Sequence, residues 1–216
     1  MFWPNGIARK LRRIVGKDAV LDQPNDLLLY EYDGSIERGL PEYVVFPQTT
    51  EHVAAIMKLA KKENLAIVPR GAGTGLSGGS IARKGGIILA FARMNQILEI
   101  DLENERAVVQ PGVVNLDLTK AVEAHGFYFA PDPSSQKACT IGGNVAENSG
   151  GPHTLANGVT VNHITGLEVV MPDGRIVELG GKSTDHPGFD LTGFFVGSEG
   201  TLGIATKITV KLSRVP

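Results

Sequence analysis

Residues 69–79 read PRGAGTGLSGG, with five glycines in eleven positions, directly after the apolar run at 65–68. Bare backbone at the end of a strand suits a phosphate: glycine takes φ > 0 without penalty, and successive amides turned to one side make a nest for an anion. Gly71, Gly73 and Gly75 are the positions expected to take φ > 0, and Thr74 and Ser77 can add hydroxyl donors. Two more segments have the same character. PDPSSQKACTIGGNVAENSGG (131–151) offers hydroxyls at Ser134, Ser135 and Thr140, paired glycines, and amides at Asn144 and Asn148, with almost no charge. GSEGTLGIAT (197–206) runs into a strand whose backbone can pair with a base edge. One such turn is ordinary; three in one chain point to one large, mostly planar ligand carrying phosphates.

Two familiar phosphate loops fail, one on residue type and one on context. Gly73 and Gly78 have the Walker separation, but Gly79 stands where that loop needs its lysine. The stretch Gly73-Thr74-Gly75-Leu76-Ser77-Gly78 matches G-x-G-x-x-G, yet residues 79–84 leave no room for a helix before Gly85 and Gly86. About 20 residues further on, where a ribose-binding acid belongs, the chain has Arg93, Met94 and Asn95. What remains is a loop that binds through its own amides, with no helix terminus involved.

The chain must hold these segments in place. YVVF (43–46), TTEHVAAIMKLAKKENL (49–65) and LAIV (65–68) predict strand, helix and strand, with the two strands a parallel pair. Thr50 is the expected helix cap, and Val53, Ile56, Met57 and Ala60 form its apolar face. GGIILAF (85–91) is a further buried strand. ILEI (97–100) and AVVQ (107–110) form a hairpin, as do GLEVV (166–170) and RIVEL (175–179) across PDG. NLDLTKAVEAHG predicts a helix capped by Asn115 and stopped by Gly126, and GIATKITVKL (203–212) a late strand. The expected fold class is α+β: two lobes, 1–100 and 101–216, with a seam near 101–112. The polar loop at 180–190 has no assigned purpose.

Composition narrows the function. The 216 residues carry a net charge of −2 with no Lys/Arg block, which argues against nucleic acid. The 27 glycines cluster at 71–86, 142–151 and 197–203 instead of scattering. The single cysteine precludes a disulfide framework within the chain and is compatible with a cytoplasmic location. No run approaches the roughly 20 apolar residues of a membrane helix. The N-terminus carries Arg9, Lys10, Arg12 and Arg13 on a helical pattern with Ile7, Leu11, Ile14 and Val15, and lacks the apolar core of a signal peptide. It reads as a basic amphipathic surface helix, so any membrane association is at most peripheral.

Together the segments VVFPQTTEHVAAI, PRGAGTGLSGGS, ILEID, PDPSSQKACTIGGNVAENSGGPH, GLEVVMPDG and GSEGTLGI resemble the FAD-binding domain of the vanillyl-alcohol oxidase/PCMH superfamily. The resemblance spans roughly residues 25–212. It is nearest to the branch of glycolate oxidase flavin subunits, D-lactate dehydrogenases and D-2-hydroxyglutarate dehydrogenases. It implies a PCMH-type FAD-binding fold of two α/β subdomains with FAD between them. In that fold Pro69, Arg70, Gly71, Ala72, Gly73, Thr74, Gly75, Leu76, Ser77 and Gly78 match the wrap around the FAD pyrophosphate. Pro131, Asp132, Ser135, Thr140, Gly142, Gly143 and Ala146 match positions near the ribityl, phosphate and ring portions. Asn148 and Ser149 match the approach to the isoalloxazine, and Gly200, Gly203 and Ile204 the adenosine and pyrophosphate side.

The departures from that family are informative. Covalent members carry a histidine in the first glycine loop; positions 69–79 hold none, so the expected FAD is non-covalent. Doubly attached members use a cysteine where this chain has Ala138, one place from Cys139, which reads as a buried filler. Ala156 and Asn157 replace a basic residue and an aromatic. The family continues into a substrate-capping domain, and this chain stops at KLSRVP. Two hypotheses follow: the flavin domain of a 2-hydroxy-acid dehydrogenase, or a flavin-binding or electron-transfer subunit completed by a partner subunit or cap. No metal is expected, since no histidine pair has ligand spacing. His52, His125, His153, His163 and His186 each read as structural, Glu199 as a solvated loop acid, and no catalytic residue is assigned.

Overall fold

The computed structural model describes residues 6–182 and 188–215. His186 and the middle of the 180–190 loop lie outside the described residues. The first half of the chain supplies α1 (Gly6–Val15), β1 (Val20–Leu21), α2 (Pro24–Leu27), β2 (Tyr43–Val45), α3 (Thr50–Glu63), β3 (Ile67–Arg70) and β4 (Ile87–Ala90). Its sheet runs β1-β2-β4-β3, with β1 antiparallel to β2 and the other three strands parallel. The expected parallel strands both form, but β4 lies between them. All four β4 residues are buried, as expected of a parallel strand covered on both faces. Tyr43, Val45, Ile87 and Leu89 face one core with α1 and α3, while Val44, Ile88 and Ala90 face a second with Leu27. That division explains why these strands read as unbroken apolar runs.

The α3 helix begins one residue earlier than expected. Thr49, not Thr50, is its cap, accepting from the His52 amide at 3.2 Å. Thr50 is already helical and donates instead to Glu168 at 2.6 Å. At the other end Asn64 adopts the left-handed conformation, φ 54°, that closes helices. The apolar face of α3 is buried as expected, and Ala8, Leu11 and Val15 of α1 pack into the same core. The apolar side of the basic helix therefore faces α3, and Lys10 and Arg12 pair with Glu63 and Asp22. Among the described residues no helix is long and apolar enough to cross a membrane.

The second half supplies β5 (Ile97–Asp101), β6 (Arg106–Val109), α4 (Asn115–Val122), β7 (Phe127–Tyr128), α5 (Ile141–Glu147), α6 (Thr154–Asn157), β8 (Ile164–Val170), β9 (Ile176–Gly180), α7 (Leu191–Phe195), β10 (Ile204–Lys211) and β11 (Ser213–Arg214). Five strands form an antiparallel sheet, β5-β6-β10-β8-β9, and β11 pairs with β7. Both hairpins form where the turn residues placed them. The late strand β10 is central, burying Ile204, Thr206, Ile208 and Val210 in alternation. Gly126 stops the α4 segment at φ 77°. Asn115, however, is not its cap. Val114 holds that position, and the Asn115 side chain, 1% exposed, donates to Pro131 O and to Asn144 Oδ1, each at 2.9 Å.

The two sheets meet across α3. Val170 of β8 and Ile204 of β10 join the core that α1 and α3 cover. The Glu168 carboxylate accepts from Thr50, Thr206 and Lys207. Burial works against its ionised form, but these hydrogen bonds outweigh it and hold its pKa below the usual glutamate value.

Candidate functional site

The glycine loop leaves the first sheet after Arg70 and joins no named strand until β4 begins, though Gly75 O accepts from the Gly34 amide at 2.9 Å. Among the described residues none of the ten amides of residues 71–80 donates a hydrogen bond. Seven of these ten residues are half-buried, with Ala72, Leu76 and Ser77 exposed, and a run of half-buried amides without protein partners is unusual. Gly73 takes φ 68°, as expected, and Gly78 takes φ 78°; Gly71 and Gly75 do not adopt positive φ. Gly71 is required by closeness instead: a Cβ there would lie 2.3 Å from Thr140 Oγ1. Arg70 braces the loop from beneath. Its guanidinium lies 5.6 Å over the Tyr30 ring, reaches Ser80 O, and would meet a Cβ on Gly73 at 2.3 Å.

The second segment is helical where glycines suggested a turn. Thr140 caps α5 by accepting from the Gly143 amide at 3.2 Å, and Ile141 and Val145 bury into the second core. That burial overrides the poor helix propensity of two glycines. The first-turn amides of α5 are already taken: Ile141 by Val113 O, Gly142 by Pro111 O, Asn144 by Thr140 O. This helix terminus has no donor to spare for an anion, in contrast to the loop opposite. The third segment hangs on the far end of α5, with Gly197 and Glu199 donating to Val145 O and Ala146 O.

Between these walls lies a cleft of about 530 Å³, within the usual size for a cofactor site. Pro69, Arg70, Gly71, Ala72, Gly73, Thr74, Gly75, Leu76 and Ser77 line one side. Ser135, Thr140, Gly142, Gly143, Ala146, Ser149, Gly200, Gly203 and Ile204 line the rest. All three glycine-rich segments thus share one cleft. Four expected residues stand outside it. Gly78 packs toward Glu37, Pro131 O is held by Asn115, Asp132 pairs with His153, and Asn148 closes α5 and accepts from the Val161 amide.

Sequence reasoning passed over Phe91, Pro111, Phe195 and Glu147, all of which line the cleft. The apolar ones read as ordinary core, and nothing near Glu147 in sequence marks it. Its carboxylate accepts from Ser77 Oγ at 3.0 and 2.9 Å. Burial raises its pKa, the Ser77 hydroxyl opposes that, and Glu199 and Asp33 add to it. Glu199 is exposed, as expected of a solvated acid, but it also lines the cleft, at φ 52°. Ser198 Oγ is buried there with no partner among the described residues. No described histidine lines the cleft. His163 is buried against Asn157 O, and burial lowers its pKa. Cys139 is buried at the cleft wall, beside Asn144. No cluster of metal-ligating side chains occurs among the described residues.

This arrangement is that of a known class. The solved structure of an alkyldihydroxyacetonephosphate synthase superposes with a TM-score of 0.87 at 26% identity, covering 100% of this chain and 41% of that one. The fold is the α+β, PCMH-type FAD-binding fold. The chain belongs to the FAD binding domain family, whose model matches residues 41–180. Among curated proteins it is 46% identical over 212 residues to the glycolate oxidase subunit GlcD of Bacillus subtilis, covering 97% of this chain and 45% of that protein. It is 37% identical over 209 residues to a D-lactate dehydrogenase of Anaerostipes hadrus, covering 96% and 44%. The chain therefore spans less than half the length of the curated relatives it matches. The residues present fit FAD: unmet amides for its diphosphate, hydroxyls of Ser135 and Thr140, and apolar walls at Phe91 and Phe195.

Proposed function

We propose that this chain is the flavin domain of an oxidoreductase that converts a 2-hydroxy acid of the glycolate or D-lactate type to the 2-oxo acid. The two sheets serve as the two subdomains, and FAD lies in the cleft between the glycine loop and α5. The observation that carries this reading is the run of ten amides without partners, the pattern a diphosphate needs. Bound FAD supplies the two-electron acceptor; the protein contributes binding, orientation and water exclusion. Here the loop amides hold the diphosphate, Arg70 keeps the loop in shape, and Phe91 and Phe195 shield the interior wall. The flavin is held non-covalently: residues 69–79 contain no histidine, and Cys139 is buried beside Asn144. The names of the relatives, a glycolate oxidase subunit and a D-lactate dehydrogenase, supply the substrate class. The single cysteine accords with a cytoplasmic setting.

A second reading has a specific observation behind it. No described histidine lines the cleft, and the chain matches less than half of each relative. On that reading the chain binds flavin, and another segment or subunit supplies the base and the cation for the carboxylate. One experiment separates the two. The chain is loaded with FAD and mixed anaerobically with glycolate, D-lactate or D-2-hydroxyglutarate. Bleaching of the visible flavin band by one of them is the expected result for a self-sufficient domain. A yellow protein bleached by dithionite alone supports the completed-by-partner reading. A chain that takes up no FAD contradicts both.

A further inference from the structure

The glycine loop has a second face. Residues 31–40 form a strap behind it, and none of them lines the cleft. The strap is pinned at its root. Tyr32 and Arg38 pair as an antiparallel bridge, the Gly39 amide donates to Glu31 O at 2.9 Å, and Arg38 meets Glu31 at 2.8 Å. Gly39 also packs on the next stretch of backbone, where a Cβ would lie 2.7 Å from Ala82 O. At the tip, Asp33 is 8% exposed; it accepts from the Ser35 amide at 2.7 Å and from Ser80 Oγ at 3.4 Å. Beside it, Gly34 meets the middle of the glycine loop. Its amide donates to Gly75 O at 2.9 Å, and a Cβ on it would lie 2.8 Å from Gly75 O and 3.0 Å from Thr74 O. Both carbonyl oxygens therefore lie against the strap. In a trans peptide the C=O and the following N–H point in opposite directions, and no cis bond occurs among the described residues. Carbonyls of Thr74 and Gly75 turned to the strap thus turn the amides of Gly75 and Leu76 away from it, on the side where both residues line the cleft. The wall that faces Gly75 there is α5: a Cβ on Gly75 would lie 3.5 Å from Glu147 Oε1.

We propose that Gly34 is a positioning residue for diphosphate binding: by holding the Thr74 and Gly75 carbonyls on the strap side, it presents the Gly75 and Leu76 amides to the ligand. The proposal rests on the reading above that FAD binds through this loop. Glycine is required at 34 by closeness, since any side chain would push the two carbonyls away; its φ is not positive. The coupling runs in both directions. An amide that donates to a phosphate makes the carbonyl of its own peptide a stronger acceptor. Ligand on the Leu76 amide therefore strengthens the Gly34–Gly75 hydrogen bond on the opposite face of the loop, and strap and loop separate less often.

Amide hydrogen exchange tests this, read residue by residue in nitrogen-15 spectra of the free chain and of the chain saturated with FAD or with ADP. Exchange at Gly34 is expected to slow by at least about tenfold at a ligand concentration of roughly a hundred times Kd. The Gly39 amide, bonded within the strap root, is the internal control and changes by less than about threefold. A ligand that merely stabilised the whole chain would slow both alike. ADP acts as FAD does, because the diphosphate is the linked group. Gly34→Ala is expected to weaken both ligands by roughly tenfold or more. It also removes the ligand-induced shifts of the Gly75 and Leu76 amides. If Gly34→Ala does not fold, the exchange measured on the parent chain decides alone. FAD binding that leaves Gly34 exchange unchanged, or slows it no more than Gly39, overturns the proposal and leaves the flavin assignment standing. So does a folded Gly34→Ala chain that binds FAD as the parent does. Failure of the parent chain to bind FAD overturns both.

Discussion

Gly73→Val is expected to weaken FAD binding by at least about a hundredfold, equivalent to about 2.8 kcal/mol, while leaving both sheets folded. Gly73 holds φ 68°, a conformation that costs an ordinary residue roughly 1–2 kcal/mol and a β-branched one more. The new Cβ would lie 2.3 Å from Arg70 Nη2 and 2.7 Å from Arg70 Cζ. Relief requires the loop to flip or the guanidinium to leave its place over Tyr30 and near Ser80 O. A flip rotates the amides that face the cleft, and displacement of the guanidinium removes its contact to Ser80 O at the end of the loop. The loop contributes no strand pairing, so the secondary structure survives. Quenching of flavin fluorescence measures the affinity, and far-ultraviolet circular dichroism checks the fold. Binding within about threefold of the parent would mean that the loop conformation is not what holds the ligand.

Asn115→Ala carries the largest expected loss of stability, about 3 kcal/mol, from two buried acceptors that lose their amide donor at roughly 1–3 kcal/mol each. Asn115 and Asn144 are both 1% exposed, so bulk water does not reach these acceptors in the intact fold. One Asn115 Nδ2 group fixes Pro131 O and Asn144 Oδ1 together. It thereby ties α4 to the start of the second glycine-rich segment and to α5. Against a typical domain stability of about 5–15 kcal/mol, the loss is large. Urea unfolding followed by circular dichroism reads it as a lower midpoint with an unchanged slope. A loss below about 1 kcal/mol would show that this side chain is not the clamp described.

Local pattern made much of the fold legible, and relations across the chain did not. The α3 face Val53, Ile56, Met57 and Ala60 followed from 3.6-residue spacing, and both hairpins from their turn residues. Strand order did not follow. Nothing in IILA tells that β4 inserts between β2 and β3, because four buried residues announce burial without naming neighbours. The caps of α3 and α4 were each assigned one residue late, since adjacent Thr49 and Thr50 are chemically alike and Asn115 looks like a cap when its burial is unknown. α5 was hidden by Gly142 and Gly143, whose low propensity is overcome only by the packing of Ile141 and Val145.

The site divides the same way. The three glycine-rich segments are local signals, and the structure gathers them around one cleft. The acidic character of that cleft was not legible. Asp33, Glu147 and Glu199 are far apart in sequence and become neighbours only through the fold. Asn148 and Asp132, both hydrogen-bonding types beside glycines, turn their side chains to Val161 and His153 instead of the cleft.

The central claim is that one ligand diphosphate is held by the main-chain amides of residues 71–80. Nitrogen-15 correlation spectra of the labelled chain, recorded during titration with FAD, test it directly. The account predicts large shifts for the amides of residues 71–80, with the α5 first-turn amides at Ile141 and Gly142, already bonded to carbonyls, moving much less. Saturable FAD binding that leaves the 71–80 resonances in place while shifting the α5 amides would contradict it.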